Sequence, residues 1–289
     1  MSNINAGVDL HIHTVASDGV LTPTQVVEKA YSNKLKAIAI TDHDTIDGVT
    51  EAIEVAKQYG IEIVSGAEFT TNHKPVVHIL GLGIDIKDKR LIAHFNQLEK
   101  SKLFLLTKAI RFLRKDGVDI DVRKIQEEMK TVTILNIKNY LLEHGLDTEG
   151  DERDSKLQNI IDEWIEGTPS PQECIKLIHL CGGKAILAHP IHLFRDRDAL
   201  KAVISEFRVW GLDGIEINHP DHLDADKRIF EKWASEMHLL CSGGSDFHGV
   251  NGRDDVASGN SDDDSFVPYI YLEEMRGKKS AECAVDSFC

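Results

Sequence analysis

The sequence predicts an α/β protein in which a parallel sheet is interrupted once by a purely helical insertion. Three observations predict it. Seven short segments rich in β-branched and apolar residues each run into a polar cluster. Amphipathic stretches at helical spacing lie between them, and from residue 87 to 167 the strand signal gives way to long charged helices. Strands alternating with helices on this scale imply parallel pairing.

Taken in order, the strand candidates occupy 7–13, 37–41, 61–68, 76–83, 184–189, 214–218 and 239–245. Helices over 22–33 and 49–59 separate the first three, and Thr22-Pro23 supplies an N-cap followed by proline at the first helical position. Insertion helices are expected at 88–115, 122–130, 135–143 and 157–166, before the rhythm resumes with a helix over 172–181 closed by Gly182-Gly183. The expected organisation is a discontinuous barrel domain (1–86 and 172–276), a helical insertion (87–171) and a loosely held tail (277–289).

Composition narrows the function. The chain of 289 residues carries 33 Lys and Arg against 48 Asp and Glu, a formal charge of −15. That balance argues against a broad nucleic-acid-binding face. A small anionic substrate would need local positive charge, which bound metal ions can supply. No apolar run approaches the roughly 20 residues that span a bilayer, so no membrane association is expected. The first seven residues have no basic or apolar leader character, which leads us to expect a cytoplasmic protein. The five cysteines form no Cys-x-x-Cys pair and read as reduced thiols.

The polar residues fall at strand ends. His11 and His13 end the first strand, His43 follows the second between Asp42 and Asp44, and Glu68 ends the third. His78 begins or lines the fourth and His189 ends the fifth; Glu216 and His219 lie at the end of the sixth, and Asp246 and His248 follow the seventh. In a parallel β/α barrel the carboxyl ends of the strands meet on one face, where active sites form. His-x-His on a strand points both imidazoles to one side of the pleat, so both reach one ion. Together these residues have the composition of a metal site.

The segment Asp9-Leu10-His11-Ile12-His13-Thr14-Val15-Ala16-Ser17-Asp18-Gly19 resembles the first motif of the PHP (polymerase and histidinol phosphatase) phosphoesterases. Ile40-Thr41-Asp42-His43-Asp44-Thr45 is similar to their second, Gly66-Ala67-Glu68 with His78 to the middle one, Leu187-Ala188-His189-Pro190 to another and Gly243-Gly244-Ser245-Asp246-Phe247-His248 to the last. Within the family the sequence is most similar to a stand-alone bacterial branch acting on nucleoside 3′,5′-bisphosphates, nucleoside monophosphates and short RNA 5′ ends. The resemblance implies a distorted seven-stranded β/α barrel with a helical insertion, in agreement with the strand count.

It also implies nine metal ligands for two to three divalent ions, Mn, Fe or Zn. His11, His13, Glu68 and Asp246 would hold one ion; Glu68 would bridge to a second held by His78 and His189; Asp18, His43 and His248 would hold a third. Three divalent ions against three carboxylates leave about +3, enough to hold a phosphate dianion in an acidic protein. The implied activity is hydrolysis of a phosphomonoester of a small nucleotide, or trimming of the 5′ end of short RNA or DNA, by a metal-activated water acting through His11, His13, Glu68 and Asp246. The alternatives are a phosphatase of another metabolite, such as histidinol phosphate, and a metal-binding regulatory module without turnover.

Other polar residues keep two readings. Asp42 and Asp44 either orient ligands from behind or cap the next helix. Glu216, His219 and His222 are candidate substrate contacts. His192, Arg195 and Arg197 either bind a second phosphate or belong to a solvated loop. In the bisphosphate branch the insertion carries an Arg-Pro-His-Ile-Ala-Arg type segment. Residues 134–140 stand in its place here with neither arginine, leaving Lys138, which lacks the planar bidentate fork.

Overall fold

The computed structural model of the chain describes residues 6–118, 120–124, 137, 141, 144, 152–249 and 255–277. Its elements follow in the order β1 (Val8–Asp9), α1 (Pro23–Ser32), β2 (Ala37–Ile40), α2 (Asp47–Tyr59), β3 (Glu62–Thr70), β4 (His78–Leu82) and α3 (Lys89–Lys115). Then come α4 (Glu152–Glu166), α5 (Pro171–Leu180), β5 (Lys184–Leu187), α6 (Arg197–Val209), β6 (Gly214–Asn218), α7 (Asp224–Met237), β7 (Leu240–Gly243) and α8 (Ile270–Met275). Local chemistry sets the helix starts. Thr22 and Gln25 form a capping box ahead of Pro23, and Ser170 and Glu173 form another ahead of Pro171.

The seven strands form one sheet in sequence order, rolled into a nearly closed barrel. The all-parallel expectation fails at β4, which runs antiparallel to both β3 and β5. The physical reason is length: residues 71–77 between β3 and β4 are too few for a crossover helix, which needs a dozen or more, so the chain turns back as a hairpin. The reversal puts the start of β4, where His78 faces Thr70, at the end of the barrel where the other strands finish.

The seam between β1 and β7 has no regular ladder. β1 is only two residues long, shorter than the expected 7–13, because beyond Asp9 its backbone bonds become scattered. Leu10 N donates to Gly243 O (3.0 Å), His13 N donates to Phe247 O (2.9 Å), and Ile12 bridges Phe247. At this seam Gly244 must be glycine, since a Cβ there would lie 2.5 Å from the His11 nitrogen.

Two apolar cores fill the barrel layers, one under α1 and α2 and one under α5, α6 and α7. A third, built from Leu105, Ala109, Leu113, Leu157 and Ile160, belongs to α3 and α4. The first half of α3 packs Leu91, Phe95 and Leu98 on the barrel, and its second half enters the separate core. Among the described residues no helix is long and apolar enough to cross a membrane. The expected helices 122–130 and 135–143 lie largely outside the described residues, as do Lys138 and the tail beyond 277.

Candidate metal centre

The strand ends bring the nine candidate ligands together around one carboxylate, Glu68. His-x-His parity holds: His11 and His13 both project inward and both are fully buried. Glu68 Oε2 lies 3.1 Å from His11 Nε2, 3.1 Å from His13 Nε2 and 3.3 Å from His43 Nδ1. Glu68 Oε1 lies 3.1 Å from His78 Nδ1 and 3.0 Å from His189 Nε2. Asp246 Oδ1 is 3.3 Å from His11 Nε2 and 3.1 Å from His13 Nε2. Asp18 closes the outer side, 3.5 Å from His13 Nδ1, 3.9 Å from His43 Nε2 and 3.5 Å from His248 Nε2.

Three overlapping groups of donor atoms result: His11, His13, Glu68 and Asp246; His13, Asp18, His43 and His248; and His43, Glu68 and His78. The first matches the set implied by the resemblance. In the second, His13 joins the expected trio through its other ring nitrogen. In the third, His43 takes the place expected of His189, which reaches Glu68 alone.

The donor set fits metal ions. His11 Nε2 and His13 Nε2 face each other at 3.1 Å beside two carboxylate oxygens. The five measured separations within this quartet run from 3.1 to 3.3 Å. Ligands about 2.0–2.1 Å from a tetrahedral ion are spaced by roughly 3.3 Å. The Nδ1 atoms of His13, His43, His78 and His189 are buried without a hydrogen-bond partner of acceptable geometry, which leaves their lone pairs available to an ion.

Electrostatics follow from crowding opposite charges in a dry site. Burial disfavours the charged imidazole of His11, yet Glu216, Glu68 and Asp246 outweigh it and hold the group well above its ordinary value. Burial likewise opposes charge on His13, but Asp246 and Glu68 lift it to about 10. His43 goes the other way, pushed down to about 4 chiefly by burial. Glu68 and Asp246 resist their own burial and stay well below the usual carboxylate range because the histidines surround them.

Buried carboxylates behind the ligands fix their geometry. Asp42 accepts from Thr14 N (2.7 Å), Thr14 Oγ1 (2.8 Å) and Ser17 Oγ (2.7 Å), so it ties down the loop that carries Asp18. Asp44 accepts from Thr70 N and Oγ1, both at 2.9 Å, and so holds the end of β3. Both aspartates therefore orient neighbours, and neither caps α2, whose N-cap is Ile46. Asp44, His189 and Asp246 adopt positive φ values of 53°, 28° and 50°. Such conformations in non-glycine residues persist where surroundings over-determine them.

The expected substrate contacts divide. Glu216 is wholly buried, with one oxygen 3.0 Å from His11 Nδ1 and the other accepting from His189 N (2.7 Å), so it stands behind the ligands instead of facing the mouth. His222 also turns inward: Nδ1 donates to Ile217 O (2.8 Å), its ring packs 4.9 Å from Phe230, and burial lowers its pKa to about 4. His219 does approach the site, its Nε2 lying 3.3 Å from Asp246 Oδ2 while Nδ1 accepts from Asp221 N. Arg195 is exposed. Arg197 is paired with Asp226.

Two residues escaped the sequence reading. Asp9 is buried at the seam, and its signal was parity with His11 and His13. Lys102 interrupts the apolar stripe Leu91–Phe95–Leu98–Leu105 of α3 and places Nζ 3.3 Å from Asp44 Oδ2 and 5.0 Å from the Trp164 ring. A lysine on a buried stripe was the available clue.

Comparisons with known proteins bear on the family and the fold. The PHP domain model matches residues 9–166. A 5′-3′ exoribonuclease of Haemophilus influenzae is 34% identical over 252 residues, covering 83% of this chain and 89% of that protein. A 3′,5′-nucleoside bisphosphate phosphatase of Chromobacterium violaceum is 29% identical over 265 residues, covering 86% and 90%. A solved structure from Bifidobacterium adolescentis, described as a metal-dependent phosphoesterase, superposes with a TM-score of 0.72 at 25% identity over 95% of this chain and 97% of that one. The chain belongs to the PHP domain family of metal-dependent phosphoesterases.

Proposed function

We propose that this phosphoesterase hydrolyses the phosphomonoester of a small nucleotide, a nucleoside 3′,5′-bisphosphate or monophosphate, or trims the 5′ end of short RNA or DNA. The observation that carries the reading is the convergence on Glu68 of five histidines from four strands, with Asp18 and Asp246 closing the site. We assign His11, His13, Glu68 and Asp246 to one ion, Glu68 with His78 and His189 to a second, and Asp18, His43 and His248 to a third, with Mn, Fe or Zn suited to such mixed ligation. Bound ions would supply Lewis-acid charge for the phosphoryl oxygens and lower the pKa of coordinated water.

The chain's own residues prepare that chemistry. Glu216 accepts the Nδ1 proton of His11 and so frees Nε2 to face the quartet. Because His219 Nδ1 accepts from a backbone amide, its neutral ring carries the proton on Nε2, turned toward Asp246 and the substrate side. Lys102 brings a cation from the insertion to the barrel mouth, where a substrate phosphate can exchange for Asp44. Arg195 and Lys138 are assigned to outer contacts with the substrate. A specific observation favours the second reading, a phosphatase for another metabolite: residues 134–140 lack the arginines of the bisphosphate branch.

Phosphate release by the Mn²⁺-loaded protein from adenosine 3′,5′-bisphosphate, AMP, histidinol phosphate, a 5′-phosphorylated RNA and an aryl phosphate tests both. Turnover of the nucleotides that disappears in a His11→Ala, Asp246→Ala double variant is expected. Turnover of histidinol phosphate alone selects the second reading, and metal uptake without any turnover selects a binding module.

A further inference from the structure

We infer that Asp9 is a positioning residue for Asp246, and that the strap formed by residues 255–267 acts on the site through the same carboxylate. The inference rests on the reading of Asp246 as an ion ligand. Asp9 lies at the seam, where β1 and β7 share no regular ladder to fix the end of β7. Its fully buried carboxylate replaces that ladder. Oδ1 accepts from Ser245 N (3.0 Å) and His11 N (3.3 Å), while Oδ2 accepts from Ser245 Oγ (2.6 Å) and Ala257 N (2.8 Å).

Ser245 immediately precedes Asp246, whose φ of 50° is a left-handed conformation that a non-glycine residue adopts at a cost. Two bonds from one carboxylate to Ser245 supply the constraint that holds it there. The same carboxylate accepts from the His11 amide on its own strand and from Ser245 across the seam, so His11 and Asp246 of the quartet are set relative to each other by one group. Ala257 adds the third arm.

The strap is pinned independently, far from the ligands. The Asn33 side chain, at the end of α1, donates to Asp255 Oδ1 and Val256 O, both at 3.1 Å, and Gly259 N donates to Asn33 O (2.8 Å). Gly259 lies so close to α1 that a Cβ would come within 2.3 Å of Lys34 O. A side chain there must shift the strap, and with it the Ala257 amide on Asp9. The structure thus assigns to an acidic surface segment a mechanical role in ligand geometry.

The test is Mn²⁺ binding by calorimetry, with ion stoichiometry by elemental analysis, for wild type, Asp9→Asn, Ser245→Ala and Gly259→Ala, with Ser17→Ala as control on the Asp42 side. Asp9→Asn and Gly259→Ala are expected to weaken one class of ion about 10–100-fold, the loss typical of removing an outer partner, and Ser245→Ala to weaken the same class by less. Ser17→Ala is expected to act on a different class. Ser245→Ala deletes a single hydroxyl and decides the matter if Asp9→Asn does not fold. Unchanged affinity in the folded variants, or an equal effect of Ser17→Ala on the same class, overturns the inference. Wild-type protein that takes up no Mn²⁺ overturns the metal reading beneath it.

Discussion

The two sides of the candidate centre are built differently. His11, His13, Glu68 and Asp246 stand on strand ends with side chains at most 3% exposed, whereas Asp18 is 36% exposed, His43 22% and His248 14%. The inner quartet is held by Glu216 and Asp9 from below, and in the outer group Asp18 hangs on the loop that Asp42 ties down. The contrast teaches that one site combines a deep, pre-organised set of donor atoms with a shallower set that faces water. An ion at the shallow set would gain less from low dielectric and leave more readily.

The largest blow to that contrast is Glu68→Gln, because Glu68 touches ligands of every group. It is expected to lower turnover by more than the roughly 100-fold typical of outer partners and to reduce metal content on both sides. Loss of a single ion with the other intact would show the sides to be independent.

Proton release sharpens the contrast next. In the metal-free chain the surrounding carboxylates raise His11 well above its ordinary value and His13 to about 10, while burial pushes His43 down to about 4. Loading the inner quartet at pH 7.5 should expel at least one proton, and the outer group fewer, as measured by calorimetry in buffers of different ionisation enthalpy. Inner affinity therefore rises with pH. The sign for stability is opposite: the protonated His13 contributes stability to the metal-free chain that is complete below its ordinary value of 6.5 and is lost as pH rises through about 10.

The smallest effect is that of Asp18→Asn, expected to remove about one ion per chain and cost roughly tenfold in activity, with the inner ion retained in a chelator titration. Equal loss from both positions would erase the distinction.

Much of this was legible in the sequence. Seven strands and the strand-end histidines could be read because alternation reports which face a residue takes and because polar residues cluster where strands stop. Depth was not legible. Glu216 and His222 have the same chemistry as residues that face a substrate, yet both are buried, and only tertiary packing distinguishes the two cases. The direction of β4 was missed because an apolar segment reads alike in both directions; the short link 71–77 carried the information. Asp9 bonds to residues more than 230 positions away, beyond any local pattern.

The reversal of β4 decides where the insertion stands. A parallel fourth strand would release the chain at the mouth, and the helix after it would descend away from the site. Reversed, β4 ends at the opposite pole, where Arg90 near the start of α3 bonds the carbonyl of Leu180. From there α3, 27 residues and so about 40 Å long, climbs the barrel wall like a mast and carries Lys102 up to Asp44. Helix length then becomes a ruler. Each turn added or removed ahead of Lys102 moves that ammonium group by about 5 Å along the barrel wall relative to Asp44. The meeting of insertion and barrel is written in the number of residues between a hairpin and a lysine.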